Sequence, residues 1–202
     1  MTELVDGDPY RQIGLAANPF IASPEPGEPA RTFVDRGLPT PPHHGFVEVV
    51  GRKGAGKTTH LLHWLRGRDG GVYRHVPPGV GRFRPLPVAP VVAWDEADRV
   101  PAPLLRHAAR AARRRGSLVL IGTHRPLGLG DVVHVLADPT AEELSRWARL
   151  RVTAVATGEH DHALGDVPAE AIARSCGGDW WQAGTDLHIW AAQQALAGGS
   201  HT

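Results

Sequence analysis

The chain has 202 residues, enough for one domain or for one core with a small appendage. Its 22 Lys and Arg residues against 21 Asp and Glu residues leave a formal charge of +1, so no global field requires a nucleic acid or a membrane as partner. The single cysteine, Cys176, excludes an internal disulfide. No apolar run approaches the ~20 residues of a membrane span, and the acidic start is not typical of a signal peptide. We therefore expect a cytoplasmic protein.

Residues 1–45 are rich in proline and poor in apolar residues, which excludes a long helix or a central strand. We expect this segment to be an extended leader packed on the core, with Phe20 and Phe33 as anchors. A disordered tail is the alternative.

A strand, a glycine-rich loop and a helix are predicted next. The apolar, β-branched run 46–50 predicts a buried strand, and leucines at helical spacing after residue 60 predict a helix. Between them, Gly51 and the triplet Gly56-Lys57-Thr58 fill the pattern G-x-x-x-x-G-K-[ST] of a phosphate-binding loop. We therefore expect nucleotide contacts from the loop residues Gly51, Arg52, Lys53, Gly54, Ala55, Gly56, Lys57, Thr58 and Thr59.

Each part of this loop has a chemical role. Glycines let backbone N–H groups approach phosphate oxygens, and the following helix presents further N–H groups to the same anion. Lys57 is expected to reach the β- and γ-phosphates, and the Thr58 hydroxyl to ligate Mg²⁺. The only two lysines in the chain, Lys53 and Lys57, both lie in this loop, whereas every other basic residue is arginine.

A second apolar run, 88–94, predicts another buried strand, and it delivers Asp95 and Glu96 at its carboxyl end. Open α/β sheets bind ligands at that end of their strands. We expect Asp95 to hold Mg²⁺, directly or through water, and Glu96 to accept the proton of an attacking water as general base. Two solvated acids at a strand end are the alternative, but Asp95 follows Thr58 by 37 residues, a separation that favours the metal site.

Three further strands are predicted at 72–76, 117–123 and 131–136, so strands and helices alternate as parallel βαβ units require. Thr123 and His124 follow the second of these strands. Either side chain could lie beside the γ-phosphate and orient the attacking water, or serve only as a satisfied turn residue.

Residues 104–115 predict a helix with a basic stripe of Arg106, Arg110 and Arg113, extended by Arg114 and Arg115. Three interpretations stay open for this stripe. It is a solvated face whose last arginines complement the helix dipole, a nucleic-acid contact, or the source of an arginine finger for a neighbouring subunit.

Thr140 and Glu143 form a capping-box pattern at the start of a C-terminal helical segment. Helices are predicted from 140, at 169–175 and from 179 to about 197, with a polar loop at 157–168. We expect these helices to form a lid over one edge of the nucleotide site.

Together these motifs resemble the AAA+ ATPases. The segment Gly14-Leu-Ala-Ala-Asn-Pro-Phe20 ahead of the loop is similar to the leader of secretion-associated and transposition-helper ATPases of that class. Leu136-Ala-Asp-Pro-Thr-Ala-Glu-Glu-Leu144 and Cys176-Gly-Gly-Asp-Trp-Trp-Gln-Ala183 are similar to the entry into the lid and to the start of its final helix. The resemblance implies a parallel sheet in the order 5-1-4-3-2, Mg-ATP as cofactor, and assembly through nucleotide at subunit interfaces.

The chain also departs from that class. Trp181 and Gln182 occupy the region where the lid helix usually starts with an arginine that touches the γ-phosphate. No arginine finger can be assigned from the sequence, and the candidates are Arg113, Arg114, Arg115 and Arg125.

The sequence therefore predicts an α/β P-loop NTPase with three layers, a parallel five-stranded sheet and a small helical lid. The expected divisions are a leader (1–45), an ATPase core (46–138) and a lid with a short tail (139–202). We expect Mg-dependent ATP hydrolysis that drives a conformational or assembly switch, with a homo-oligomer, DNA or another protein as candidate partners. The alternatives are a slow or non-hydrolysing ATP-gated binding module and a small-molecule phosphotransferase. ATP is favoured over GTP because no N-K-x-D motif is present.

Overall fold

The computed structural model describes residues 8–20, 33–157 and 166–198. They fall into two compact units, one of residues 35–137 and one that joins residues up to 34 with residues from 138 onward. Most of the predicted polar loop and the proline-rich middle of the predicted leader, residues 21–32, lie outside the described residues. Among the described helices, none combines the length and the apolar character needed to cross a bilayer.

The unit of residues 35–137 is built on one parallel sheet of five strands. In chain order they are β1 (Gly45–Val50), β2 (Gly71–His75), β3 (Val91–Asp95), β4 (Leu118–Thr123) and β5 (Val132–Val135). They pair in the order β2-β3-β4-β1-β5, and every pairing is parallel. The predicted fold class and the expected order 5-1-4-3-2 are confirmed.

Helices cover both faces of this sheet. Leu61 of α2 (Lys57–Leu65) lies in one buried cluster with Ala93 of β3, and Leu105 of α3 (Ala102–Arg115) lies in a second cluster with Trp94. Because neighbouring residues of a strand face opposite sides, β3 serves both clusters, and its residues are apolar throughout until Asp95. The predicted three-layer arrangement is therefore present, with short 3₁₀ turns at Gly79–Phe83 and Ala97–Arg99 in the connections.

A buried carboxylate holds the connection between β4 and β5. Glu48, in the middle of β1, is fully buried. Its oxygens accept hydrogen bonds from the backbone N–H groups of Leu127 at 2.9 Å and of Leu129 and Gly130 at 2.6 Å each. A buried charge is tolerated only when it is hydrogen-bonded, so these three donors account for an acidic residue in a central strand.

The second unit is helical. Its elements are α1 (Pro9–Gln12), α4 (Ala141–Val155), α5 (Ala169–Ser175) and α6 (Trp180–Gly198). The predicted capping box is confirmed, since the Thr140 hydroxyl accepts from the Glu143 N–H while the Glu143 carboxylate accepts from the Thr140 N–H.

The segment before residue 21 packs within this helical unit. Leu15 is fully buried in one cluster with Leu144 and Leu187, and Asn18 donates a hydrogen bond to the backbone oxygen of His188. Residues 13–20 thus supply apolar side chains to the helices, while residues 35–45 belong to the other unit. The stretch that the sequence assigns to a single leader is divided between the two units.

We expect Glu48→Gln to lower the free energy of unfolding by about 2 kcal/mol, because an amide nitrogen replaces an acceptor that faces buried N–H donors. Urea denaturation measures this change. Glu142→Gln, at an exposed ion pair with Arg146, is the matched control and should change stability by less than about 0.5 kcal/mol. Equal effects of the two variants would contradict a structural role for Glu48.

Candidate functional site

The predicted phosphate-binding loop follows β1 and leads directly into α2, which begins at Lys57. Gly54 and Gly56 have φ values of 80° and 88°, a region that favours glycine. A Cβ at Gly51 would lie 3.1 Å from that of Ala55 and 3.3 Å from that of Leu136, so a side chain there would force its neighbours to shift. Backbone shape at Gly54 and Gly56 and close packing at Gly51 therefore favour glycine, and the loop has the form of an anion cradle.

The Lys57 side chain folds back into this loop. Its Nζ donates hydrogen bonds to the backbone oxygens of Gly51 and Arg52, each at 2.9 Å, and the residue is buried. Burial lowers the pKa of Lys57, and the carboxylates of Glu96 and Asp95 act in the opposite direction. An ammonium group held in the loop by two backbone oxygens is better suited to contact a phosphate anion than bulk water.

Asp95 ends β3 and is 1% exposed. Its Oδ2 accepts hydrogen bonds from the Thr58 hydroxyl at 2.7 Å and from the Tyr73 hydroxyl at 2.8 Å, and its Oδ1 accepts one from the Glu96 N–H at 3.1 Å. Hydroxyl and carboxylate oxygens are the ligands that Mg²⁺ prefers. The two residues predicted to hold the metal, Thr58 and Asp95, are therefore in direct contact and suit that ion.

Tyr73 was not found from the sequence. It lies on β2, next to β3 in the sheet, and burial together with the Asp95 carboxylate raises the pKa of its hydroxyl, so the hydroxyl remains a donor. The only available signal was a polar aromatic residue on a strand parallel to the one that ends in Asp95.

Gly122, on β4, keeps space open for Asp95. A Cβ at this position would lie 2.6 Å from Asp95 Oδ1 and 2.9 Å from Leu61 Cδ1. Both distances are shorter than side chains tolerate, and both neighbours are buried. No pattern in the sequence indicated that this glycine bears on the site.

Glu96, the predicted general base, has an unusual backbone. Its φ is 60°, the only positive φ of a non-glycine residue in the described part of the chain. Its Oε2 lies 2.9 Å from Arg99 Nη2 and 3.4 Å from His124 Nδ1. The carboxylate is thus close to two cationic or protonatable groups.

Thr123, the last residue of β4, and His124, which follows it, have different surroundings. His124 Nδ1 lies 3.2 Å from Asp98 Oδ2, so this ring belongs to the same polar network as Glu96. The Thr123 hydroxyl donates to the Arg125 backbone oxygen at 2.8 Å and is fully buried, as a turn residue would be.

Glu96, Asp98 and His124 also bring donor atoms within 4.8 Å of one another, a spacing that could hold a cation. The Arg99 guanidinium already supplies positive charge to Glu96 at 2.9 Å, which disfavours a second cation there. Asp95 has His75 Nδ1 at 3.6 Å from its Oδ2, but this neighbour is a half-exposed imidazole and not a guanidinium, so the Thr58 and Asp95 pair is the better candidate for Mg²⁺.

Of the arginines considered as fingers, Arg113 is engaged within its own unit. Its guanidinium contacts Asp131 Oδ1 at 3.2 Å, donates to the Leu129 backbone oxygen at 2.8 Å and lies 4.2 Å from the centre of the Phe46 ring. Arg114, Arg115 and Arg125 are exposed.

Solved structures with the same architecture include RuvB from Thermotoga maritima, with a TM-score of 0.52, 17% identity, and coverage of 76% of this chain and 61% of that one. The fold is that of the AAA+ P-loop ATPases. ORC1 from Aeropyrum pernix, in complex with DNA, matches with a TM-score of 0.54, 17% identity, and coverage of 77% and 59%. Cdc6p from Pyrobaculum aerophilum matches with a TM-score of 0.50, 16% identity, and coverage of 80% and 58%.

No family model and no curated protein matches the chain. The chain also spans no more than 61% of the length of these three AAA+ structures. The likeness concerns the fold, and the activity has to be argued from the site.

We expect Gly122→Ala to weaken the binding of Mg-nucleotide at least about tenfold, or 1.4 kcal/mol, because the new methyl group displaces the Asp95 carboxylate. Titration with a fluorescent ATP analogue measures the affinity. Gly184→Ala is the matched control, since a Cβ there makes only an ordinary contact of 3.4 Å with the Trp147 ring. A folded Gly122→Ala protein with unchanged affinity would contradict a role for Asp95.

Tyr73→Phe tests the second donor to Asp95. We expect the Mg²⁺ concentration for half-saturation to rise about three- to tenfold, since a hydrogen bond to a charged group is lost. Nucleotide binding in the presence of a chelator should stay the same. Tyr10→Phe, which removes a hydroxyl that accepts from Asn18 in the other unit, is the control.

Proposed function

We propose that this protein is a Mg-dependent ATPase of the AAA+ type, in which ATP binding and hydrolysis drive a conformational or assembly switch. The observation that supports this most directly is the contact between Thr58 and Asp95 beside a glycine-shaped loop that encloses Lys57. A cradle for phosphate and a pair of oxygen ligands for its metal then lie side by side, as nucleotide chemistry requires.

In this proposal the loop glycines and Lys57 bind the phosphates, and Thr58 and Asp95 hold Mg²⁺. The bound ion would neutralise charge on the β- and γ-phosphates. Glu96 would accept the proton of the attacking water through its carboxylate, and His124 would help to position that carboxylate and the water. Thr123 would act on the same step only if its hydroxyl left the Arg125 carbonyl.

A second candidate function, a slow or non-hydrolysing ATP-gated binding module, is favoured by one observation. The ion pair between Arg99 and Glu96, at 2.9 Å, occupies the carboxylate oxygen that would have to meet the attacking water. In this alternative, ATP would act through binding, and turnover would need a partner that separates the two side chains.

We further propose that the protein works as a homo-oligomer with DNA or another protein as partner. The support is the fold shared with RuvB and Cdc6p and with an ORC1 whose structure contains DNA. An exposed arginine of one subunit would then complete the site of the next, with Arg114, Arg115 and Arg125 as the candidates.

Two substitutions separate binding from hydrolysis. Lys57→Ala should abolish nucleotide binding, because the loop loses its buried cation, whereas Glu96→Gln should keep the affinity and lose turnover. Phosphate release is measured at several protein concentrations, alongside titration with a fluorescent ATP analogue. Arg66→Ala, which removes an exposed cation at the other end of α2, is the control.

Each outcome assigns a function. Specific activity that rises with protein concentration, and that Glu96→Gln abolishes, supports an oligomeric ATPase. Tight ATP binding without turnover at any concentration supports the ATP-gated module. Equal ATP affinity of the wild type and Lys57→Ala would overturn both, because neither is compatible with a nucleotide site elsewhere.

A further inference from the structure

Charge is distributed unevenly between the two units. Residues 35–137 contain 16 Lys and Arg residues against 7 Asp and Glu residues, whereas the rest of the chain contains 6 against 14. The formal charge of +1 for the whole chain therefore combines a basic α/β unit of +9 with an acidic remainder of −8. A strongly basic unit has its own electrostatic field, which a whole-chain value conceals.

Acidic residues are scarce between residues 71 and 130 of the α/β unit. In residues 71–130 the only carboxylates are Asp95, Glu96 and Asp98, and none of them is exposed. The same stretch contains ten arginines. They are Arg74, Arg82, Arg84, Arg99, Arg106, Arg110, Arg113, Arg114, Arg115 and Arg125. The exposed Lys, Arg, Asp and Glu side chains of this stretch are therefore all arginines. The exposed acid that follows the stretch, Asp131, pairs with Arg113.

Three of these arginines form a line on α3. Arg106, Arg110 and Arg114 are exposed and stand at i, i+4 and i+8, which places their Cα atoms along about 12 Å of helix. They lie opposite the buried face of the helix, which includes Leu105 and Ala109. We call Arg106, Arg110 and Arg114 the basic face. Within the described residues, none of the three has an ion-pair partner, in contrast to Arg113.

Helix stability does not explain the basic face. Cations stabilise the last turn of a helix through its dipole, which accounts for Arg114 but not for Arg106 in the N-terminal half of α3. Like charges at i, i+4 cost the isolated helix about 0.2–0.5 kcal/mol per pair. The negative charges of a bound polyanion would attract the three guanidinium groups and offset their mutual repulsion.

We propose that the basic face binds the phosphodiester backbone of a nucleic acid. Arginine forks match phosphate oxygens in a bidentate manner, and a line of three matches a repeating anion better than a single acidic group. Pro103 and His107, which share this side of α3, provide no large apolar side chain for insertion into a lipid surface. This inference goes beyond the proposed ATPase activity and does not depend on it.

The test compares two triple variants that remove the same charge. Arg106→Gln/Arg110→Gln/Arg114→Gln removes the basic face, and Arg146→Gln/Arg149→Gln/Arg174→Gln removes three exposed arginines of the helical unit. Binding to a fluorescein-labelled 30-base-pair duplex DNA of arbitrary sequence is followed by anisotropy at several salt concentrations without nucleotide. Single-stranded DNA and duplex RNA of the same length are tested in the same way, to show which kind of nucleic acid the basic face binds.

We expect the basic-face variant to bind at least about tenfold more weakly and to lose about 3 from its slope of log K against log salt, one for each phosphate contact. The helical-unit variant should match the wild type. Far-UV circular dichroism and the midpoint of thermal unfolding, which should be unchanged in both variants, show that the proteins are folded. Because the anisotropy assay contains no nucleotide, its result is separate from that of the nucleotide site.

Several results would overturn the proposal. Equal losses of nucleic-acid affinity in the two variants would indicate an effect of net charge rather than of the basic face. A wild type that binds none of the three nucleic acids at low salt would also contradict the proposal. A basic-face variant that keeps nucleic-acid binding but loses self-association in analytical ultracentrifugation would assign the face to a protein interface. Binding to phosphatidylserine vesicles with none to nucleic acid would assign it to a membrane surface.

Discussion

The Asp95 carboxylate is the point on which the candidate site depends. A buried carboxylate must be hydrogen-bonded, and its three donors come from the helix after the phosphate loop, from β2 and from the backbone of Glu96. This arrangement requires β3 to lie between β2 and β4, with Gly122 on the β4 side leaving room. Sheet order, loop position and candidate metal ligand are thus parts of one constraint, since β3 has to lie beside both β2 and β4 for Tyr73 and Gly122 to meet at one carboxylate.

The strands and the phosphate loop could be predicted because their signals are local. An apolar run identifies β3 whatever surrounds it, and the glycine spacing reflects backbone shape within a few residues. Tyr73 and Glu48 could not be predicted, because their roles depend on partners distant in the sequence. The N–H donors to Glu48 lie 79 to 82 residues further along the chain, and Glu48 by itself resembles any acidic residue in a strand.

Apolar side chains in a short segment indicate that the segment is buried, but they do not indicate which part of the protein it packs against. Phe20 was expected to anchor the leader on the core, and it lies instead with Leu15 in the apolar cluster of the helical unit. The basic stripe of α3 was ambiguous for a similar reason. Its periodicity did not distinguish Arg113, which contacts Asp131 and the Phe46 ring, from the outward-facing Arg110.

Glu96 combines its chemistry with an unfavourable backbone. A non-glycine residue in the left-handed region costs about 1–3 kcal/mol, and the surrounding network has to offset this cost. Selection for thermostability alone would therefore favour glycine at position 96, which adopts this conformation without strain but has no carboxylate. Under the proposal that Glu96 is the general base, a variant with glycine here would lose the backbone strain and also the proton acceptor, so stability and activity would oppose each other at this residue.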